Sequence, residues 1–330
     1  MPSLPRIRSR RPRGVAEAAP RARTEPLELA AAGLTWIHLD EYDEDTITGL
    51  ADRFGWHPLD LEDVLSKRQR PKVDDYDDYL FAVLHFPAYD KNIQRLNAAE
   101  LDVFISRDTL ITIPNVELLP VTRLFRRLEA QEGRREQLFA KGSGRLLYEI
   151  LDDLFDYCFP ILDKIGHKLD SLEDDVFEGR SEEVVRDISN VKQEIISYRK
   201  IIKPERSTLR LLERHVERFL PEELELYFDD IVDASERVWD ILDNYKEVVE
   251  ALEQTNESVI SHRQNDVLRI LTTFSVVLLP LTLITGFFGM NTGGLPGAGS
   301  HHGTIAAGGL ILGSALAVFV VLRAMGFVRR

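Results

Sequence analysis

Gly286-Phe287-Phe288-Gly289-Met290-Asn291 is a short phrase within residues 270–322, where no Asp, Glu, Lys or Arg occurs between Arg269 and Arg323. The chain as a whole is 29% charged, so this silence marks a separate environment. A continuous apolar run leads into the phrase from Leu271, and a second follows from Thr304 to Leu322. Leu271 to Phe288 is roughly eighteen residues, just enough helix for a hydrocarbon core of about 30 Å; the Val267 turn extends it comfortably. Both runs are too long and too evenly apolar for two core helices of a globular protein. The reading is therefore a membrane hairpin: a first span at about 268–288, an outer loop at 289–303 and a second span at 304–322. Arg263 and Arg269 precede the first span, and Arg323, Arg329 and Arg330 follow the second. That positive flank predicts both termini on the cytoplasmic side.

Within the spans, Gly308, Gly309 and Gly313 put small residues on one side of the second, which permits close helix approach. Ser275, Thr282 and Thr285 give the first span a hydroxylated stripe. Such a stripe lines water in some proteins, while in others its hydroxyls bond the carbonyl one turn back. Two spans cannot enclose a conduit, so a water-lined face requires several copies around an axis.

Upstream, Ile231, Ala234, Val238, Ile241, Tyr245, Val248, Leu252, Thr255 and Val259 recur in steps of three and four. No Gly or Pro falls between Pro221 and Pro280. This predicts one helix from about Pro221 into the membrane, nearly seventy residues or roughly 100 Å long. A helix of that length needs partners along its side. Two more helices precede it. Arg145 to Glu178 carries an apolar stripe from Leu147 to Leu169, and Ser181 to about His215 follows a Gly179 stop, with Pro204 expected to kink or interrupt it.

Before Pro120 the pattern is mixed. Strands are expected at Thr35–Leu39, Tyr79–Phe86, Glu100–Ser106 and Thr109–Ile113. Helices are expected from Asp43, as N-cap, to Phe54, and from Pro58 onward with an acidic first turn. The fold class is thus an α+β cytosolic domain with a mostly antiparallel sheet flanked by helices, a very long stalk helix and a two-helix C-terminal hairpin. Residues 1–25 read as a disordered basic tail, 26–220 as the cytosolic domain, 221–269 as the stalk and 270–330 as the membrane hairpin. Residues 1–23 hold seven Arg but no apolar core of secretory-signal length.

The net charge of −14 and pI near 5.1 leave no broad basic surface for nucleic acid. They suit a protein that attracts cations. Cys158, the single cysteine, has no disulfide partner in the chain and reads as a buried small residue in a reducing compartment. No phosphate-binding glycine loop, His-Glu-x-x-His helix or nucleophile elbow is present, so enzyme classes find no support. A membrane-anchored oligomeric scaffold is the competing class on these observations.

Gly289-Met290-Asn291 at the outer end of the first of two C-terminal spans resembles the signature of the CorA divalent-metal transporters. Leu279-Pro280-Leu281-Thr282-Leu283-Ile284-Thr285-Gly286 looks like that family's first span. Arg70-Pro71-Lys72-Val73, with Tyr76 and Tyr79-Leu80-Phe81, is similar to its cytosolic part. The likeness covers about residues 34–330. It implies a homopentamer in the inner (plasma) membrane that carries Mg2+, with Co2+ and Ni2+ as further ions. No cofactor is implied beyond the ion itself, transported and regulatory. Gly289, Met290 and Asn291 would form the pore mouth, and Asn265, Leu268, Leu271, Leu279, Thr282 and Gly286 would line the pore. Asp230, in Tyr227-Phe228-Asp229-Asp230, matches the family's regulatory metal ligand, with Asp74, Asp75, Asp77 or Asp78 as candidate partners across a subunit boundary.

One departure bears on the ion. The magnesium-type outer loop carries an acid soon after the triplet, whereas Thr292 to Gly303 has none and instead contains His301 and His302. That loop resembles the zinc-transporting ZntB branch, some of it proton-coupled, and imidazole suits Zn2+ better than Mg2+. The intact Met290 keeps magnesium as the first reading and zinc as its alternative.

Overall fold

The computed structural model describes residues 26–66, 69–90, 95–178, 181–219, 226–289 and 301–324. The chain divides into two compact units, Met1–His167 with Lys192–Lys246, and Lys168–Val191 with Glu247–Arg330. The first unit is built on six strands: β1 (Leu27–Ala31), β2 (Leu34–His38), β3 (Lys72–Asp75), β4 (Leu80–Asp90), β5 (Arg95–Ile105) and β6 (Thr109–Pro114). Their order is β1-β2-β6-β5-β4-β3, with β2–β6 parallel and every other pair antiparallel. The mostly antiparallel sheet flanked by helices is as expected. β1 and β3 were not, because Leu-Glu-Leu-Ala-Ala favours helix by propensity and Lys-Val-Asp-Asp is a charged edge.

The pleat sends alternate residues to opposite faces. On one face Phe81, Val83, Phe104, Ile111 and Ile37 pack with α1 (Glu44–Phe54) and α2 (Pro58–Ser66). Trp56 stacks on Phe104 there at 3.7 Å between centroids. Asp43 caps α1 as expected, accepting from Thr46 N at 2.8 Å. The other face receives α3 (Leu119–Ala130) through Phe125 on Trp36, and α5 (Ser143–Glu178) through Phe155 on Phe86. A short α4 (Glu132–Phe139) lies between these two in sequence.

β3 stops at the Lys72–Val83 pair, so His85 N–H, further along β4, has no strand beside it. Glu205 of α6 (Ser181–Val216) fills the gap, its Oε2 accepting that N–H at 2.9 Å. Pro204, next to it, lies inside an unbroken α6, contrary to an interruption; Ser207 and Thr208 hydroxyls donate to the Pro204 carbonyl at 2.8 and 3.3 Å. Buried Cys158, as anticipated, lies under α6, where Tyr198 Oη donates to its carbonyl at 3.3 Å. Arg199 and Arg206 stack on Trp239 of α7 (Leu226–Gly289) and pair with Asp243 and Glu236.

The second unit holds the end of α5, the start of α6 and the remainder of α7, burying Leu172, Val176, Ile188, Val249 and Leu252. Beyond Val267, α7 has no buried side chain among the described residues, and α8 (His301–Ala324) has only Leu322. Leu279, Leu283 and Leu312 are 67%, 70% and 73% exposed. One helix, Tyr227–Phe287, is long and apolar enough to cross a membrane, and Gly308–Ala324 is a shorter apolar segment. His301 and His302, expected in the loop, instead open α8, three residues ahead of the expected second span.

Two stability measurements follow, both on the detergent-solubilised full chain. Phe104→Ala removes the ring sandwiched by Trp56 and Phe81 and is expected to destabilise by about 3–5 kcal/mol in denaturant unfolding. Burial pushes the Glu205 carboxyl up to about 8, above its unfolded value, so its contribution is complete in acid and is lost as pH rises towards 8. Thermal melts of Glu205→Gln should therefore lack this decline, with its advantage over wild type growing from pH 5 to pH 8. Equal slopes for the two proteins would contradict that account.

Candidate functional site

α7 carries both regions singled out by sequence, the apolar span and the acidic base. In the span, Arg269, Thr273, Val277, Pro280, Leu281 and Ile284 are half-covered, and the residues between them are exposed. At 100° per residue these six cluster on one side of the helix. Asn265, Leu268, Leu271, Leu279, Thr282 and Gly286 are all exposed, and they fall within an arc of about 120° centred about 150° from that side. The expected pore-lining residues thus share one bare face. The hydroxyl stripe is bonded backward, with Ser275 donating to Leu271 O and Thr282 to Leu279 O, each at 2.9 Å. Thr282 keeps its oxygen lone pairs for that bare face.

In α8 the half-covered stripe is Ile311, Ser314, Ala315 and Val318. Gly308, Gly309 and Gly313 lie off it, and a Cβ at any of them would meet nothing within 4 Å. Among the described residues no helix of this chain closes on these glycines. Gly289 is the last residue of α7; Met290 and Asn291 lie outside the described residues.

At the base of α7, the buried Phe228 anchors the first turn, and its two neighbouring carboxylates diverge. Asp229 shares a hydrogen bond with Glu213 of α6, which pushes the Glu213 carboxyl up to about 7. Asp230 meets α5: Tyr148 Oη donates to its Oδ2 at 3.4 Å. Tyr148 packs edge-on against Tyr227, and the Arg145 guanidinium lies over both rings at 4.6 and 4.4 Å. Asp152, one turn along α5, is pushed up to about 6 by burial and then by the charges of Asp156, Asp230, Glu149 and Asp153. This is a concentration of negative charge whose nearby cations, Arg145, Arg134 and Arg127, serve Glu149 and Asp153 rather than Asp152. The position of Asp152 one turn after Tyr148 on an acidic helix stripe was the available signal; sequence reasoning missed it because α5 carries acids along much of its length.

The four candidate partners of Asp230 are engaged elsewhere or exposed. Asp74 pairs with Lys72, whose Nζ also reaches Asp63 Oδ2 at 2.5 Å. Asp75 accepts from Arg218 at 2.5 Å and contacts His215 Nδ1 at 2.9 Å. Asp77 and Asp78 are exposed. Among the described residues no hydrogen bond or ion pair joins Asp230 to any of them. Instead Asp60, Asp63 and Asp74 gather within 4.8 Å, a grouping spread over α2 and β3 that sequence reading did not anticipate. Asp60 is buried and takes hydrogen bonds from Tyr76 at 3.0 Å and Tyr79 at 2.6 Å, while the Lys72 ammonium sits between the other two.

One arrangement imitates hydrolase chemistry. His38 lies between Thr112 Oγ1, 2.9 Å from its Nδ1, and Asp40 Oδ1, 3.1 Å from its Nε2. Thr112 Oγ1 also accepts the Trp36 indole N–H at 3.0 Å, and all three of Trp36, His38 and Thr112 are fully buried. A nucleophile sealed from substrate has a structural role, tying β2 to β6.

A family model described as CorA-like Mg2+ transporter protein matches residues 31–324. The cobalt/magnesium transport protein CorA of Thermotoga maritima is 31% identical over 260 residues, 78% of this chain and 73% of that protein. The zinc transport protein ZntB of Yersinia enterocolitica is 21% identical over 262 residues, covering 79% and 78% respectively. The structure of the CorA magnesium transporter from Methanocaldococcus jannaschii shares the fold, with a TM-score of 0.77 at 23% identity over 89% of this chain and 92% of that one. This chain belongs to the CorA-like Mg2+ transporter family, whose members are transporters of divalent metal cations rather than enzymes.

Proposed function

We propose that this protein is a homopentameric channel of the inner (plasma) membrane that admits Mg2+, and also Co2+ and Ni2+, to the cytoplasm. The observation that carries this reading is the bare face of α7, with Asn265, Leu268, Leu271, Leu279, Thr282 and Gly286 in one arc turned away from the half-covered stripe. Five such faces around an axis enclose a path, and residues 289–291 ring its outer mouth. In this reading residues 26–220 form the cytosolic body, 221–269 the stalk and 270–330 the hairpin, both termini being cytoplasmic.

The chemistry at each level then follows. Mg2+ sheds its octahedral water shell reluctantly. A ring of neutral Asn291 amide oxygens accepts hydrogen bonds from that shell without stripping it, whereas a carboxylate ring would hold the ion too long for conduction. Leu271 and Leu279 constrict the path and dewet it in the closed state. A potential of 100 mV, negative inside, favours entry of a divalent ion by about 4.6 kcal/mol.

The Asp230–Asp152 acids supply the gate. A cytosolic divalent cation bound there, shared with a carboxylate of the neighbouring subunit, holds the stalk helices together; its loss leaves like charges facing each other. Asp74, Asp75, Asp77 and Asp78 stay candidates for that neighbour, and Asp152 joins Asp230 from its own chain. Magnesium is favoured over zinc because the more similar of the two named relatives is a cobalt/magnesium transport protein, at 31% against 21% identity. The placement of His301 and His302 on a helix, rather than on a free loop, adds nothing for zinc.

Flux into proteoliposomes tests both levels. Wild type should admit Mg2+ along an inside-negative potential, and Asn291→Ala should lower the rate by about tenfold, near 1.4 kcal/mol at the pore mouth. Uptake of Zn2+ with none of Mg2+ would transfer the protein to the zinc branch, and no flux of either ion would favour the scaffold. Separately, Asp230→Lys should abolish closure by millimolar internal Mg2+. A variant that still shuts at the wild-type concentration sinks the gating assignment while leaving the pore intact.

A further inference from the structure

The far end of β4 and β5 forms part of a pocket of about 680 Å3, well away in sequence from both the pore face and Asp230. Its wall includes His85 of β4, Glu100 of β5, Gln69, Arg70 and Asn115. His85 and Glu100 are direct cross-strand partners on the face of the sheet that α1 and α2 cover. Glu100 is 3% exposed, and its Oε1 has no hydrogen-bond partner among the described residues. Two residues along the same strand face, Asp102 is 2% exposed and its Oδ1 is likewise without a partner. An unsatisfied buried carboxylate oxygen is costly, and the one that Glu100 brings to the pocket wall calls for a positive guest.

The remaining contacts pin Glu100 as a ligand rather than a loose side chain. Its Oε2 accepts Gln69 N–H at 2.7 Å, and its backbone is clamped by Asn115, whose Oδ1 accepts Glu100 N–H and whose N–H reaches Glu100 O, both at 2.9 Å. His85 Nε2 stands 3.4 Å from Glu100 Oε2, long for a charge-assisted hydrogen bond. It is, however, the edge of a metal tetrahedron: two donors each about 2.1 Å from a tetrahedral zinc lie about 3.4 Å apart. His85 is 15% exposed, so the pair is reachable from the pocket. Lys72, whose charge acts on Asp102, is already bound to Asp63 and Asp74.

We propose that this pocket binds a borderline divalent cation such as Zn2+, Co2+ or Ni2+, held by His85 Nε2 and the Glu100 carboxylate, with water completing the shell. An imidazole nitrogen selects such ions over Mg2+, which prefers an all-oxygen shell. Asp102, buried two residues along the strand, lies behind the first ligands. The site would report cytosolic levels of a transition metal independently of the oxygen-only acids around Asp230.

The full chain in detergent tests this with Co2+ as probe, because an imidazole-bearing site of low coordination number gives it a strong visible band. Wild type should take up one Co2+ per chain with that band, and chelator competition should show Zn2+ binding at least about tenfold weaker in His85→Gln and in Glu100→Gln. The band should disappear in both variants but persist in Asp230→Asn and in the double His301→Ala, His302→Ala chain, and millimolar Mg2+ should not displace it. Glu100→Gln keeps an acceptor for Gln69 N–H and decides the matter if His85→Gln melts early. An unchanged band and Zn2+ affinity in a folded Glu100→Gln protein means that the orphan oxygens hold protons, and it overturns the proposal; equal displacement by Mg2+ does so as well. Asn291 and Asp230 take no part, so this site and the transport reading stand or fall separately.

Discussion

Past Arg269 the backbone of α7 satisfies its own hydrogen bonds, but among the described residues none of its side chains is buried. In water each exposed Leu, Val or Phe there would leave about 1.5–3 kcal/mol of burial unrealised. Lipid accepts those side chains, and a helix is one of only two backbone forms that lipid tolerates. The constraint reaches back through the chain. Because α7 is continuous from Leu226 to Gly289, the acidic base and the apolar span belong to one rod. The charge-free stretch also explains the arginines that bracket it, since moving Arg263, Arg269 or Arg323 into hydrocarbon would cost more than sliding the helix by a turn.

The base of that helix is under electrostatic load. Asp152 and Asp230 face each other across α5 and α7 with Asp156, Glu149 and Asp153 nearby, and the cations close by, Arg145, Arg134 and Arg127, are directed at two tyrosine rings, Glu149 and Asp153. Two carboxylates about 4 Å apart repel by about 1 kcal/mol in bulk water and about 4 kcal/mol near a protein surface. Asp152 is partly open to solvent, so the lower half of that range applies. A few such pairs repeated around an oligomer are enough to bias a two-state packing, and a proton or a divalent cation removes the bias. The chain's acidic balance is thereby put to local use.

The elements that were legible in the sequence are those whose signal is carried by many residues at once. The long helices showed through sustained apolar spacing, the central strands through alternating β-branched and aromatic residues, and α1 through its Asp43 cap. The sheet edges were hidden. Leu27–Ala31 and Lys72–Asp75 become strands because a neighbour offers a free ladder, and that is tertiary information. The same holds for the sites. Asn265 to Gly286 could be placed on one face by counting alone. The grouping of Asp60, Asp63 and Asp74, or the reach of Asp152 to Asp230, depends on how β3 and α5 pack, which no local pattern encodes. Likewise a lone His85 and a lone Glu100 look unremarkable until cross-strand register sets them opposite each other.

Two demands on metal chemistry meet in this chain, and the residues divide between them by donor type. Conduction requires an ion to leave as readily as it enters, which favours neutral oxygens, and the proposed mouth at Asn291 offers amides. Sensing requires occupancy to persist at cytosolic concentrations, which favours charge, and the unit built on the sheet offers many carboxylates, among them Glu100 paired with the His85 imidazole. Were the pore ringed by aspartates, or the base of α7 lined by asparagines, each would perform the other's task and neither its own. The segregation of charge along the sequence, an acidic body before Arg269 and none through Leu322, is therefore more than a membrane signature. In the proposed pore it keeps the groups that bind ions strongly out of the path that must let them go.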